Sequence, residues 1–381
     1  MTLCNATYWF ESDLAAFGVA LLVAGIIIPQ IIQIAFRKKL FDKHDARKIH
    51  KGIVPRLGGI AFLPSIIFAI AIVAGINIRY GSDNMMFALQ RCIVPLSFEI
   101  CAVLLLYLVG IADDLIGVRY RAKFLIQIIC GVLILLSGVW IGNLYGLLWI
   151  GPIPVWIAWP VTVFIVVYLV NSVNLIDGID GLASGLTALA LAFYAIIFFM
   201  QGEYIYSLIA CASVGTLLPF IYYNVYGKVQ KQKKIFMGDT GSLTIGMVIA
   251  FLAIIMVRTT PTHNVFRCVN PLLLAFSPML IPCFDVLRVI LHRMKKRRNI
   301  FLPDRSHIHH KLLAMGMSPG RALATILLAA CGFVALNVGL SPWLDPNILL
   351  GADILVYTLI NVGLTSRITL REKKLGKKLY E

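Results

Sequence analysis

The feature that most constrains this chain is a series of about eleven apolar runs, each long enough to cross a lipid bilayer. The chain is 60% hydrophobic and 14% charged, whereas soluble domains carry about 25% charged residues. Backbone polar groups inside lipid must bond within their own segment, so uniformly apolar runs of this length indicate helices. The sequence predicts an all-α polytopic membrane protein with about 10–11 transmembrane helices. The predicted spans are 14–36, 58–76, 93–112, 124–140, 154–170, 182–200, 205–223, 242–257, 272–291, 321–340 and 348–365.

Lysine and arginine residues predict the orientation of these spans. They cluster after odd-numbered spans, at 37–56, 119–123, 228–234, 288–311 and 366–378. Because positively charged loops stay in the cytoplasm, we expect an outside N-terminus and a cytoplasmic C-terminus. The inner membrane surface accounts for the net charge of +16, so nucleic acid is not an expected partner. We expect one integral membrane domain over 1–381, with spans within 14–365 and a basic cytoplasmic tail at 366–381.

Four polar side chains, spaced three residues apart, mark the end of the fifth span: Asn171, Asn174, Asp177 and Asp180. Each step of three turns about 300° on a helix, so several of these side chains can share one face. Two glycines in the same stretch allow the backbone to come close to a ligand. Because carboxylates near a bilayer are costly, the pattern indicates a functional site. A polar helix end followed by a glycine turn is the alternative.

Two adjacent carboxylates, Asp113 and Asp114, end the third span. Acidic side chains oppose the dipole at a helix C-terminus, so a divalent cation or a neighbouring cation should hold them there. Because helix neighbours point about 100° apart, we expect different roles for the two. The alternative is a solvated acidic cap paired with Arg119.

Asp239 lies between two glycines at the start of the eighth span. A helix N-terminus attracts phosphate, and Asp239 would suit a metal ion that bridges such a phosphate. A simple N-cap for the eighth span is the alternative. In the first basic connection, Lys51 and Arg56 are candidates for contact with an anionic ligand, with a basic membrane flank as the alternative.

The last large basic connection contains Arg305, His307, His309 and His310. Three histidines in four positions suggest zinc, but they lack the i,i+4 helical spacing of a zinc site and no cysteine accompanies them. An anionic, hydroxylated substrate fits this set better. All these clusters fall on the predicted cytoplasmic side, which indicates one active site built from cytoplasmic loops.

Together the clusters favour magnesium and phosphate chemistry. Mg²⁺ prefers oxygen ligands, usually one or two carboxylates together with substrate phosphates. The chain has no GxxxxGK[ST] loop, which disfavours an ATPase. A reaction at this surface would join a soluble, nucleotide-activated group to a lipid phosphate. A transporter or flippase of a phosphorylated lipid is the alternative of another class, although transporter sites lie near the bilayer midplane.

Four motifs resemble one known family. They are Asp113-Asp114 with Lys123 nine residues further on, Asn-x-x-Asn-x-x-Asp-Gly-x-Asp-Gly at 171–181, Phe-Met-Gly-Asp-Thr-Gly-Ser at 236–242, and Pro-Asp-Arg-x-His-Ile-His-His at 303–310. Over about residues 14–365 the chain resembles the polyprenyl-phosphate N-acetylhexosamine-1-phosphate transferases. It is most similar to the bacterial undecaprenyl-phosphate N-acetylglucosamine-1-phosphate transferases, which begin lipid-linked cell-envelope glycans. The muramyl-pentapeptide branch has three contiguous histidines, where this chain has an isoleucine between the first and second.

The resemblance implies a site with assigned roles. Mg²⁺, with Mn²⁺ as the expected substitute, would bind at Asp239 and Asn174, and Asp113 and Asp114 would be catalytic. The predicted substrate contacts are Lys51, Lys123, Asn171, Asp177, Asp180, Arg305, His307, His309 and His310. The expected partners are a UDP-sugar donor, undecaprenyl phosphate and the bilayer of a bacterial inner membrane, and a homodimer is left open. Another UDP-HexNAc or UDP-MurNAc-pentapeptide is the alternative donor.

Overall fold

The computed structural model describes residues 3–40, 54–80, 83–262, 269–297, 307–376 and 378–380. Within these ranges the regular structure is helical, and the only β pairing is an isolated bridge between Asn143 and Pro152. The prediction of an all-α membrane protein is confirmed. The helices are α1 (Leu3–Lys38), α2 (Phe62–Arg79), α3 (Asp83–Ile116), α4 (Tyr120–Leu136), α5 (Val155–Ile176), α6 (Leu182–Gln201), α7 (Tyr204–Ile221), α8 (Gly238–Thr259), α9 (Pro271–Phe276), α10 (Leu280–Lys295), α11 (Ile308–Ala314), α12 (Pro319–Leu340) and α13 (Pro346–Leu375).

Ten helical stretches in the described part of the chain are long and apolar enough to cross a membrane. The remaining predicted span, 124–140, corresponds to α4, whose 17 residues extend about 26 Å. Near its start, the ammonium group of Lys123 contacts Asp239 at the beginning of α8. Just beyond its end, the Ile141 N–H donates to Thr162 Oγ1 in α5. The rest of α5 runs back towards the beginning of α8. Helix α4 therefore crosses the bundle from one end to the other.

Several predicted boundaries need correction. Helices α1 and α3 begin at Leu3 and Asp83, whereas the predicted spans begin at residues 14 and 93. The span predicted at 272–291 is interrupted, because a 3₁₀ turn over Ser277–Met279 separates α9 from α10. Pro278 lies in this turn, where it lacks the N–H that a continuous helix would use. The span predicted to end at residue 365 continues as α13 to Leu375, so the first part of the predicted basic tail is helical.

Helix α8 forms the centre of the bundle and is buried between α3, α5 and α6, with α9 beside its far end. Its first turn is approached very closely by two other backbones. A Cβ atom at Gly59 would lie 2.0 Å from the Gly241 nitrogen, and one at Gly110 would lie 2.4 Å from Thr240 Cα. Small residues permit such close helix contacts in membranes. These contacts bring the end of α3 and the segment before α2 onto the start of α8.

Replacing Gly110 with alanine should destabilise the protein. The new methyl carbon would lie 2.4 Å from backbone in α8, and overpacking of this kind costs about 1–3 kcal/mol. The measurement is the midpoint of thermal unfolding of the purified protein in detergent. Gly75→Ala in α2 is the matched control, because a Cβ atom there meets nothing within 4 Å. Equal midpoints for the two variants would contradict the packing described for α8.

Candidate active site

Asp114 joins the end of α3 to the start of α8. Its Oδ1 accepts a hydrogen bond from the Asp239 N–H (2.8 Å), and its Oδ2 accepts from Thr240 N–H (2.9 Å) and Oγ1 (2.6 Å). The carboxylate that opposes the dipole of α3 is thus held by the positive end of α8. The alternative, in which Asp239 is a simple N-cap, is wrong. The N-cap residue, Met237, makes no side-chain cap, and Asp114 supplies that function from another helix.

Lys123 links two carboxylates at the same place. Its Nζ donates to Asp239 Oδ2 at 2.6 Å and to Asp113 Oδ2 at 3.1 Å, and all three side chains are largely buried. The other oxygen of Asp113 accepts from the Val118 N–H at 2.6 Å. The expected alternative, pairing with Arg119, is replaced by pairing with Lys123. A cation between the two acids offsets a repulsion that would otherwise be strong at partly buried positions.

The end of α5 contributes two amides. Asn174 Nδ2 donates to Ser242 Oγ at 2.8 Å, which anchors Asn174 to the first turn of α8. Asn171 Nδ2 donates to Gln127 Oε1 in α4 at 2.6 Å. Asn171 therefore supports the contact between α4 and α5, and it also lines the cavity described below. Its predicted substrate contact stays a prediction.

The two acids that follow α5 lie in different surroundings. Asp177 is exposed and forms the C-cap position of α5. Asp180 accepts a hydrogen bond from the buried Lys234 at 2.6 Å, which ties the segment before α6 to the segment before α8. Sequence analysis did not separate Lys234 from the other basic residues around it, because its burial depends on a contact 54 positions away.

The histidines lie over the same segment. A Cβ atom at Gly178 would lie 2.0 Å from Nε2 of His309, so this glycine makes room for an imidazole rather than only for a ligand. The ring of His309 lies between those of His307 and His310, with centroid distances of 5.8 and 4.1 Å. Burial, together with the two neighbouring imidazoles, lowers the pKa of His309 to about 3. His309 is therefore neutral at physiological pH.

Asp285 in α10 is a site residue that sequence analysis missed. Its carboxylate is fully buried and accepts from Arg288 Nη2 (2.9 Å), Ile308 N–H (3.0 Å) and Tyr357 OH (3.1 Å). Its Oδ2 lies 2.8 Å from Nδ1 of His307. The signal that could have identified it is an ionisable residue inside an apolar run, which marks a functional position by default.

A cavity of about 480 Å³ extends from these groups between α4, α5 and α10. Lys123, Asn174 and the three histidines line it together with apolar side chains such as Phe164 and Ile290. Asn174 and Phe164 are ten residues apart on α5, which corresponds to about 15 Å. The shape and lining suit a molecule with a polar head and a long apolar tail.

The predicted residues thus converge in large part. Asp113, Lys123, Asn174 and Asp239 are joined directly or through the first turn of α8. This arrangement at one end of the bundle differs from the midplane site expected of a transporter. Lys51 and Arg305 lie outside the described residues, so their predicted substrate contacts stay predictions.

The oxygen ligands available at this site suit a hard divalent cation. Within the described ranges, no group of three or more His, Cys, Asp or Glu side chains could hold a metal ion by itself. Mg²⁺ commonly needs only one or two carboxylates when a substrate supplies phosphate oxygens. The carboxylate of Asp239 and the side-chain carbonyl of Asn174 can both serve as oxygen ligands. Asp239 lies at the start of α8, and Asn174 is hydrogen-bonded to that part of α8 from α5.

Comparison with known proteins identifies close relatives. The profile of glycosyl transferase family 4 matches residues 96–257. A probable undecaprenyl-phosphate N-acetylglucosaminyl 1-phosphate transferase of Bacillus subtilis is 31% identical over 84% of this chain and 82% of its own length. The undecaprenyl-phosphate alpha-N-acetylglucosaminyl 1-phosphate transferases of Yersinia pestis and Escherichia coli K12 are each 29% identical, over 80% of this chain and 78% of their own length.

Asp114→Ala should destabilise the protein by at least about 2 kcal/mol, because three donors at the start of α8 lose a charged acceptor. The measurement is again the thermal unfolding midpoint in detergent. Asp83→Ala is the control, since Asp83 is an exposed acid in the first turn of α3. A midpoint for Asp114→Ala as high as that of the control would show that this capping contact contributes little.

Proposed function

The chain belongs to the family of undecaprenyl-phosphate N-acetylglucosaminyl 1-phosphate transferases, and from this membership we propose the reaction that it catalyses. It transfers GlcNAc-1-phosphate from UDP-GlcNAc to undecaprenyl phosphate and releases UMP. The observation that carries the proposal is 31% identity over 84% of the chain to a probable undecaprenyl-phosphate N-acetylglucosaminyl 1-phosphate transferase. The direct contacts among Lys123, Asp113 and Asp239, three residues of the family motifs, support it.

The cavity between α4, α5 and α10 supports the lipid acceptor. The lipid phosphate would lie beside Lys123 and Asn174, and the first prenyl units would lie along apolar lining side chains such as Phe164. An ammonium group and an amide N–H are suitable donors to phosphate oxygens. Apolar burial of the prenyl chain contributes about 25 cal/mol per Å².

Asp239 and Asn174 would hold Mg²⁺, or Mn²⁺ in its place, together with the diphosphate of the donor. When bound, such a cation stabilises the charge that develops on the phosphoryl oxygens. Lys123 adds a second positive charge, and Asp113 orients Lys123 through their 3.1 Å contact. Asp114 acts indirectly, because its hydrogen bonds to the first turn of α8 set the position of Asp239.

We propose direct attack. An oxygen of the lipid phosphate forms a bond to the sugar-bearing β-phosphorus of the UDP-sugar, the bond from that phosphorus to the oxygen of UMP breaks, and UMP leaves. A phosphate monoester has a second pKa of about 6, so the attacking group is already largely ionised at neutral pH. A strong general base is therefore unnecessary, which agrees with the engagement of Asp113 by Lys123 and by Val118. The competing mechanism uses an aspartate as a covalent nucleophile.

The distribution of lysine and arginine residues indicates on which side of the membrane the active site lies. The ends of α3, α5 and α10 and the starts of α4 and α8 lie on the side that carries the lysine- and arginine-rich connections. The positive-inside rule supports a cytoplasmic active site, and the bacterial relatives support the inner membrane as its location. Soluble UDP-sugar would reach the site from the cytoplasm, and the lipid acceptor would reach it from the bilayer.

The purified protein, supplied with radiolabelled UDP-GlcNAc, undecaprenyl phosphate and Mg²⁺, should form a lipid-linked labelled product and UMP in equal amounts. Chelation of the metal should stop turnover, and added Mg²⁺ or Mn²⁺ should restore it. UDP-GalNAc, UDP-FucNAc and UDP-MurNAc-pentapeptide are the comparison donors. Faster use of one of these would replace GlcNAc in the proposal. A phosphorylated protein formed from donor without acceptor would contradict direct attack.

Asp239→Asn should lower kcat by about 10²–10³-fold while the protein stays folded, because an amide oxygen binds a divalent cation less tightly than the carboxylate that it replaces. Lys123→Ala should lower kcat/KM for the UDP-sugar by about tenfold or more, since one charged contact to phosphate is lost. Steady-state kinetics with Asp83→Asn as the folded control provides the measurement. Near wild-type kcat for Asp239→Asn would exclude Asp239 as a metal ligand, and unchanged Lys123→Ala kinetics would exclude its phosphate contact.

A further inference from the structure

Helix α11 carries two of the three histidines and is only seven residues long. An isolated helix of this length is not stable in water, because too few hydrogen bonds offset the cost of nucleation. Two other helices stabilise it. Asp285 in α10 accepts from the Ile308 N–H at the beginning of α11, and Arg371 in α13 donates to the Ala314 carbonyl at its end (2.9 Å). Both charges have the sign that the helix dipole favours.

Asp285 does more than cap this helix. Its Oδ2 lies 2.8 Å from Nδ1 of His307, and the ion pair with Arg288 keeps the carboxylate charged. An ionised carboxylate can only accept, so Nδ1 of His307 carries the proton. In a neutral imidazole the other ring nitrogen, Nε2, is then an acceptor.

The ring of His307 also forms part of the cavity wall. His307 lines the cavity, as do Lys123 and Asn174. Its Nε2 makes no hydrogen bond to any residue within the described ranges. The His307 ring is nearly parallel to the His309 ring, with 9° between the two planes. This neighbour also restricts the rotation of the His307 ring.

We propose that Asp285 is a positioning residue for sugar-phosphate transfer. Its carboxylate holds His307 in the Nδ1–H tautomer, so that Nε2 accepts a hydrogen bond from a hydroxyl group of the nucleotide-sugar donor. The inference rests on the proposed function and adds to it a group outside the family motifs that acts through His307. Asp285 itself is fully buried and does not touch the substrate.

Asp285→Asn tests this assignment, because the amide can donate to Nδ1 and move the ring proton to Nε2. The acceptor at Nε2 then becomes a donor. We expect kcat/KM for the UDP-sugar to fall about 10- to 100-fold, as for other residues that orient a functional histidine. In a His307→Gln background the same substitution should change kcat/KM less than about threefold, since groups that act as a unit are not additive.

Asp353→Asn is the matched control. Asp353 is also a fully buried acid, in α13, and it accepts from Asn337 Nδ2 at 2.9 Å without lining the cavity. Its kcat/KM should stay within about twofold of the wild type, as expected for a site that shares no partners with His307. Losses for Asp285→Asn and His307→Gln that multiply in the double variant would overturn the inference, and so would an active, folded Asp285→Asn variant with unchanged kcat/KM.

A second measurement does not depend on folding of the Asp285 variant. Nitrogen NMR of the histidine-labelled wild type, with the His307 signals assigned by their loss in His307→Gln, should show a protonated Nδ1 and an unprotonated Nε2. The opposite tautomer would overturn the inference. Failure of the proposed function would instead appear as a wild-type enzyme that forms no lipid-linked product from any of the donors.

Discussion

The hydrogen bonds that Asp114 accepts from the first turn of α8 are the interaction on which the rest of the site depends. The end of α3 carries a partial negative charge and the start of α8 a partial positive one, so their meeting satisfies both helix ends. It also brings Asp113 and Asp239 close enough to share Lys123. Glycines at 59 and 110 permit the approach, because any side chain there would collide with the backbone of α8.

The site continues into the cavity between α4, α5 and α10. Cationic and amide groups line this cavity together with aromatic and aliphatic side chains. A lipid phosphate needs the polar groups and the apolar side chains within the length of one molecule. A soluble diphosphate needs only the polar groups. Under the proposed function, this lining would let a membrane-bound acceptor and a water-soluble donor meet at one cluster of charges.

Sequence patterns predicted much of this arrangement. Hydrophobic run length predicted the helices, although the starts of α1 and α3, the break at Pro278 and the continuation of α13 to Leu375 differ from the predicted bounds. The motifs predicted that Asp113, Lys123, Asn174 and Asp239 would lie together, and the described structure joins them. Asp285 was not predicted, because its importance lies in its contacts with His307 and Ile308, more than 20 positions away.

The sequence by itself determined which segments enter the membrane and which residue types gather on one side of it. It could do so because apolar run length and the spacing of polar residues are local properties of the chain. Only the tertiary structure decided which of two adjacent acids caps a helix and which pairs with Lys123. It also decided that Gly178 admits the ring of His309 and that Asp180 pairs with Lys234. These outcomes depend on contacts between distant parts of the chain, and hydrogen-bond partners of that kind leave no periodic trace in a single sequence.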